Sequence, residues 1–416
     1  MPTEPEPRAS DQIIRADVRQ AALYAFAVLV SRVAILGLLA WFVHHREFTD
    51  DVTMHMDMAH SPMGPLLGRT VAPSHPPFMS LLLSLVAAPL SVVMSDFLAM
   101  RLTSIVYEAA AAFVFGLLAT HVYGLRLFWS PASLAFLAMP MGWMTTAVMA
   151  QDESIGALFV MAVVWLTARG QADAALVTCG LAVSAAKIFM LGPLAALVIL
   201  LPHRTLIHRA MLGGIPALVP YAWVYGATML SGNPMPLVDF TPSAQYSVNL
   251  WVMLAGEHGM HHETARRLSS VLVAAALGSI LAARLMRPKP LPARSTALLL
   301  AVPLLWIFAL FYHVSPEYYI LALPPLLLVC RSPGAAILIS AISAAPWGVN
   351  LVYGVRQAIA SGAAEGSGKA AFVHMYRAVV PVEPDLVFYP VVAVSIVSTL
   401  GLTLWATRRL LSGEEP

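Results

Sequence analysis

The 416-residue chain is 59% hydrophobic and 11% charged, with a net charge of +2. Soluble domains carry about 25% charged residues, so this composition excludes an ordinary soluble enzyme and points to a polytopic membrane protein. The small net charge gives no reason for a nucleic-acid partner. Cys179 and Cys330 lie in apolar runs and form no disulfide or metal framework.

In chain order, residues 1–20 are polar and read as a cytoplasmic tail. The first apolar run, 21–43, lacks a small-residue cleavage site and reads as a retained anchor. Further runs near the 20 or so residues a span needs lie at 97–121, 128–149, 154–168, 211–230, 268–286, 294–314, 317–331, 334–353 and 386–408. Residues 174–201 are interrupted by Lys187 and read as two short helices meeting there. Residues 78–94 follow Pro76-Pro77 and are broken by Pro89, which fits either a further span or an interfacial helix.

Charge decides between these options, because Lys and Arg gather on the cytoplasmic side. If 78–94 does not cross, Arg126, Arg169, Arg204, Arg294 and Arg408 fall inside, while Asp51, Asp152, Glu317 and Asp385 fall outside. The expected fold is therefore all-α, with about 12 transmembrane helices and both termini inside. A first module, 21–201, carries an outside loop at 44–96. A second, 202–408, carries outside loops at 231–267 and 354–385, and 409–416 form a cytoplasmic tail. The working face looks outward from the inner or plasma membrane, toward the periplasm or cell exterior.

Few residues in so apolar a chain can do chemistry. Asp50 and Asp51 follow the first helix, amid Arg46, Glu47, His55, Asp57 and His60, and a proline-stiffened path leads on to Pro76-Pro77. They are candidate catalytic carboxylates or, in the plainer reading, a polar helix end. Asp152 and Glu153 interrupt apolar sequence on the same face and suit general-base chemistry or orientation of a hydroxyl acceptor. Lys187 stands alone in an apolar stretch. A charge at membrane depth costs roughly 2.5–3.5 kcal/mol, so it faces a cavity or a partner. A phosphate fits, and so does an ion pair with Glu108. Arg32 reads as structural. The histidines of the first loop (His55, His60, His75) and of a later one (His258, His261, His262) match neither HExxH nor a spacing that fixes ligands on one helix face, so no metal is expected. His313, Glu317 and Tyr318, and likewise Gln245, Ser247, Asn249 and Trp251, set polar groups beside rings, as a sugar site or an interfacial belt would.

Several of these features occur in an order that resembles the GT-C integral-membrane glycosyltransferases. They are the acid after the first span, His75-Pro76-Pro77-Phe78, Gln151-Asp152-Glu153, Arg169-Gly170, and the run from Gly180 to Lys187. The sequence is most similar to the bacterial polyprenyl-phosphate-sugar mannosyl- and arabinosyl-type branch, over about residues 21–201. It departs in having His75 where tyrosine is frequent, and in a second acid at position 50. The resemblance implies inverting transfer of one sugar from a polyprenyl-phosphate donor to a hydroxyl on a glycan, glycolipid or protein. Asp51 would be the base, with Asp50 as second choice, and Asp152 or Glu153 would position the acceptor. Lys187, with Arg101, would hold the lipid phosphate. The donor lipid is then the only cofactor-like molecule, and no divalent metal is called for. The rival reading is a transporter or flippase of an envelope precursor.

Overall fold

The computed structural model describes residues 9–43, 51–68, 75–201, 204–231, 247–286, 292–330, 332–362 and 368–413. Every regular element among them is helical. That is what an apolar chain in hydrocarbon must do, because a helix satisfies its backbone groups within itself.

The elements are α1 (Ala9–Val43), α2 (Asp51–His60), α3 (Met79–Ser91), α4 (Asp96–Leu117), α5 (Pro131–Ala138) and α6 (Pro140–Trp143). After these come α7 (Glu153–Ala168), α8 (Ala172–Ala185), α9 (Leu191–Leu200), α10 (Leu206–Leu230), α11 (His262–Met286) and α12 (Thr296–Leu310). The last five are α13 (Leu323–Leu328), α14 (Pro333–Ile342), α15 (Ala344–Ala360), α16 (Gly368–Val379) and α17 (Pro384–Ser412).

Local chemistry sets the boundaries. The Ser130, Thr205 and Ser332 side chains accept the backbone N–H three residues on, capping α5, α10 and α14. Pro140 follows Met139 in an extended conformation and divides α5 from α6. Lys187 is extended and divides α8 from the turn that leads into α9.

Among the described residues, seven helical segments are long and apolar enough to cross a membrane: Asp17–Leu38, Asp96–Val122, Leu206–Leu230, His262–Met286, Ala293–Leu310, Pro333–Ala360 and Pro384–Ser412. The chain is thus a multi-pass helical membrane protein. The segments expected at 128–149, 154–168, 174–201 and 317–331 are shorter or broken helices. Within 78–94, α3 has 13 residues, or about 20 Å, against about 30 Å of hydrocarbon. It pairs with α2, and His60 Nε2 lies 3.1 Å from Ser91 Oγ.

The two ends of the bundle differ. At one end, His121 meets Asp17 at 3.5 Å and Arg169 at 3.0 Å, Arg204 meets Asp173 at 2.8 Å, and the Tyr123 hydroxyl donates to Arg294 O at 2.7 Å. α7 runs from Glu153 to Ala168, so Glu153 lies at the opposite end, some 24 Å away along a 16-residue helix. Between the ends, α1 packs on α4, and Arg32 meets Glu108 at 2.7 Å with both side chains 1% exposed. α8 crosses α10 at Gly180 and Gly213, where a Cβ on Gly180 would strike the Gly213 carbonyl. Small residues allow this approach.

Candidate functional site

A short break in helical order places the acids. After the turn Met144–Val148, Ala150 takes φ 55°, a left-handed conformation that costs a non-glycine residue about 1 kcal/mol and is held only by its surroundings. Gln151 N then donates to Thr145 O at 2.9 Å. Asp152 and Glu153 follow at the start of α7, each 1% exposed.

The extended backbone at Lys187 turns its side chain to the same place. Its Nζ lies 2.8 Å from Glu153 Oε1 and 3.3 Å from Asp152 Oδ1, and 5.4 Å from the centre of the Tyr318 ring. Asp152 Oδ2 and Glu153 Oε2 have no hydrogen-bond partner among the described residues. Rings wall one side: Phe189 meets Tyr318 at 5.0 Å and Phe311 at 5.6 Å between centroids.

Two histidines complete the cluster. His55, on α2, is 1% exposed, with Nε2 at 3.8 Å from Asp152 Oδ1. His75 opens the Pro76-Pro77 segment, which is pinned where Phe78 N donates to Ser184 O, 2.9 Å away at the end of α8. The two Nε2 atoms lie 3.3 Å apart. Burial disfavours the imidazolium of His75 and pushes its pKa down to about 3, so the ring is neutral. Burial is the largest influence on Asp152 and works against its charge, but Lys187 and the neighbouring side chains together outweigh it and hold the carboxyl below the usual range.

Of the residues singled out from sequence, His75, Asp152, Glu153, Lys187 and Tyr318 meet here. Glu317 is within electrostatic reach of Glu153. The His313 ring is 6.5 Å from that of Tyr318. Arg101 donates to the carbonyls of Ala147 at 3.2 Å and Val148 at 2.8 Å. Asn249 donates to Phe308 O at 2.9 Å and Phe311 O at 2.8 Å, tying its segment to the end of α12. Asp50 and Gln245 lie outside the described residues, and Asp51 is described only as the first residue of α2. The Lys187–Glu108 pair does not form; Glu108 is taken by Arg32 and by the Thr146 hydroxyl at 2.7 Å. Sequence reasoning gave His55 no role of its own. The available signal was its place one helical turn after Asp51.

No protein-family model matches the chain, and no curated protein matches it.

The arrangement can bind and orient polar groups in a water-poor place. The Lys187 ammonium has three donors and gives two to carboxylates among the described residues. Both acids retain an acceptor oxygen. Such a site suits a substrate that brings hydrogen-bond donors such as hydroxyls.

Proposed function

We propose that the chain is a membrane glycosyltransferase of GT-C type with about 12 transmembrane helices. It transfers one sugar, with inversion, from a polyprenyl-phosphate donor to a hydroxyl acceptor on the periplasmic or outer face. The carrying observation is the meeting of His75, Asp152, Glu153, Lys187 and Tyr318, from segments up to 243 positions apart, in one buried cluster.

Asp51 is the proposed base and Asp50 the second choice; Asp51 begins the helix that carries His55 into the cluster. A base takes the acceptor proton as the hydroxyl attacks the anomeric carbon. Asp152 or Glu153 orients that hydroxyl. Lys187 faces the lipid phosphate, whose charge grows as the bond to the sugar breaks. The arginine-rich end opposite the cluster supports an outward-facing site.

A second reading, a transporter or flippase, draws on the break between α8 and α9 at Lys187. Discontinuous helices with charged groups mark substrate pathways in transporters.

The test is release of polyprenyl phosphate from a panel of polyprenyl-phosphate sugars by reconstituted protein. Asp51→Asn, Asp50→Asn and Lys187→Ala run beside the unaltered chain. Turnover of one donor, falling about 10²–10⁴-fold on loss of the base, supports the transferase. Vesicle exchange of substrate without turnover favours the transporter.

A further inference from the structure

We infer that His55, His75 and Asp152 together hold one divalent cation. The three come from separate elements: α2, the proline segment pinned to α8, and the approach to α7. Their ligand atoms all lie within 4.8 Å of one another. The two imidazole Nε2 atoms are 3.3 Å apart. With metal–nitrogen bonds of about 2.05 Å, that separation subtends about 107° at a shared ion, close to the tetrahedral angle. Asp152 Oδ1 stands 3.8 Å from His55 Nε2, and the three ligand atoms draw closer together when one ion binds them all. Water or substrate would take the fourth position.

Charge and satisfaction argue the same way. Asp152 and Glu153 share one described ammonium, Lys187, and Glu317 lies within electrostatic reach of Glu153. A cation at Asp152 is stabilised by acids in that neighbourhood. A direct hydrogen bond between the imidazoles would use one nitrogen of each ring, yet leave the buried Asp152 Oδ2 without a partner among the described residues. A carboxylate that meets the ion through both oxygens would give Oδ2 a partner and remove that cost. Two imidazoles and one carboxylate are the donor set of Zn²⁺ and of related borderline divalent ions in sites with an open position. The ligands are up to 97 positions apart, which is why no local spacing betrays them.

The inference does not rest on the transferase reading, and its test uses no substrate. Full-length protein in detergent, stripped with a chelator, is titrated with Zn²⁺ and separately with Co²⁺. Metal content and the visible absorption of Co²⁺ are recorded. One tightly held equivalent with the strong visible bands of a four-coordinate Co²⁺ site is expected. Replacing the exposed His258, His261 and His262 together by Gln leaves that equivalent in place. His75→Gln and Asp152→Asn weaken it by more than the about 10–100-fold that loss of an outer-shell partner costs. His55→Gln substitutes for either variant that is not monodisperse. Absence of the four-coordinate spectrum, or Zn²⁺ affinity unchanged in two folded ligand variants, overturns the inference.

Discussion

The ammonium of Lys187 lies 2.8 Å from the carboxylate of Glu153, at the break that separates α8 from α9. Asp152 shares the same ammonium, and both acids are 1% exposed. Removing one member of a buried pair leaves an uncompensated charge and costs about 3–5 kcal/mol. Lys187→Met is expected to lower thermal stability in detergent by that order. Adding Glu153→Gln to it recovers part of the loss, because one of two stranded charges is gone. A Lys187→Met protein that unfolds at the temperature of the unaltered chain would mean the pair does not form.

The Arg32–Glu108 pair is a separate matter. It joins α1 to α4, and the Arg32 Nη1 also donates to Leu137 O at 2.7 Å. Its further hydrogen-bond partners among the described residues are Ser31, Leu137 O and the Thr146 hydroxyl, none of them in the cluster. Glu108→Leu alone is expected to destabilise by about 3–5 kcal/mol, whereas Arg32→Met with Glu108→Leu falls close to neutral. Donor turnover and metal affinity should follow the folded fraction in both. A specific loss of turnover in the folded double variant would move this pair into the working machinery.

Gly142 makes that pair possible. A Cβ there would collide with Glu108 Oε1 and come within 2.7 Å of Arg32 Nη2. Gly142→Ala is therefore expected to cost about 1–3 kcal/mol through overpacking. Gly214, on α10, has open space where a methyl group would stand, with nothing within 4 Å. Gly214→Ala accordingly gains up to about 1 kcal/mol of helix propensity. Unfolding midpoints of the two variants should shift in opposite directions; a shift in the same direction counts against the close approach at Gly142.

How legible this was from sequence depends on the scale asked about. Hydrophobic runs near 20 residues identify membrane helices because the bilayer sets their length, and α1, α4, α10, α11, α12 and α17 each contain, or form most of, a segment that meets that standard. A lone lysine in an apolar run signals a partner, but its sequence does not name one: Glu108 and Asp152-Glu153 were equally acidic, and packing decided. Pairing of Arg32 with Glu108, 76 positions apart, took one candidate away. His55 and His75, on separate elements, meet because Phe78 is tied to the end of α8, a tertiary contact with no local signal. Arg101 is a second buried cation, and its bonds to the carbonyls of Ala147 and Val148 at the turn before Ala150 have no local signal either.

Sidedness gives the last prediction. Ser95 caps the start of α4, and His121 and Tyr123 follow its far end, where they meet Asp17, Arg169 and Arg294. Gln171 stands at that same end, immediately before α8. Both Ser95 and Gln171 are exposed, while the native Cys179 and Cys330 are buried, so single introduced cysteines report on a quiet background. In intact cells, Ser95→Cys is expected to react with a membrane-impermeant maleimide. Gln171→Cys should react only after the membrane is opened, because arginine-rich ends remain cytoplasmic. The reverse pattern would put the His55–Asp152–Lys187 cluster on the cytoplasmic side, where a nucleotide-linked donor becomes the natural substrate and the lipid-linked one loses its rationale. Labelling of both positions from outside would mean that Asp96–Val122 does not cross, which removes one of the seven candidate spans.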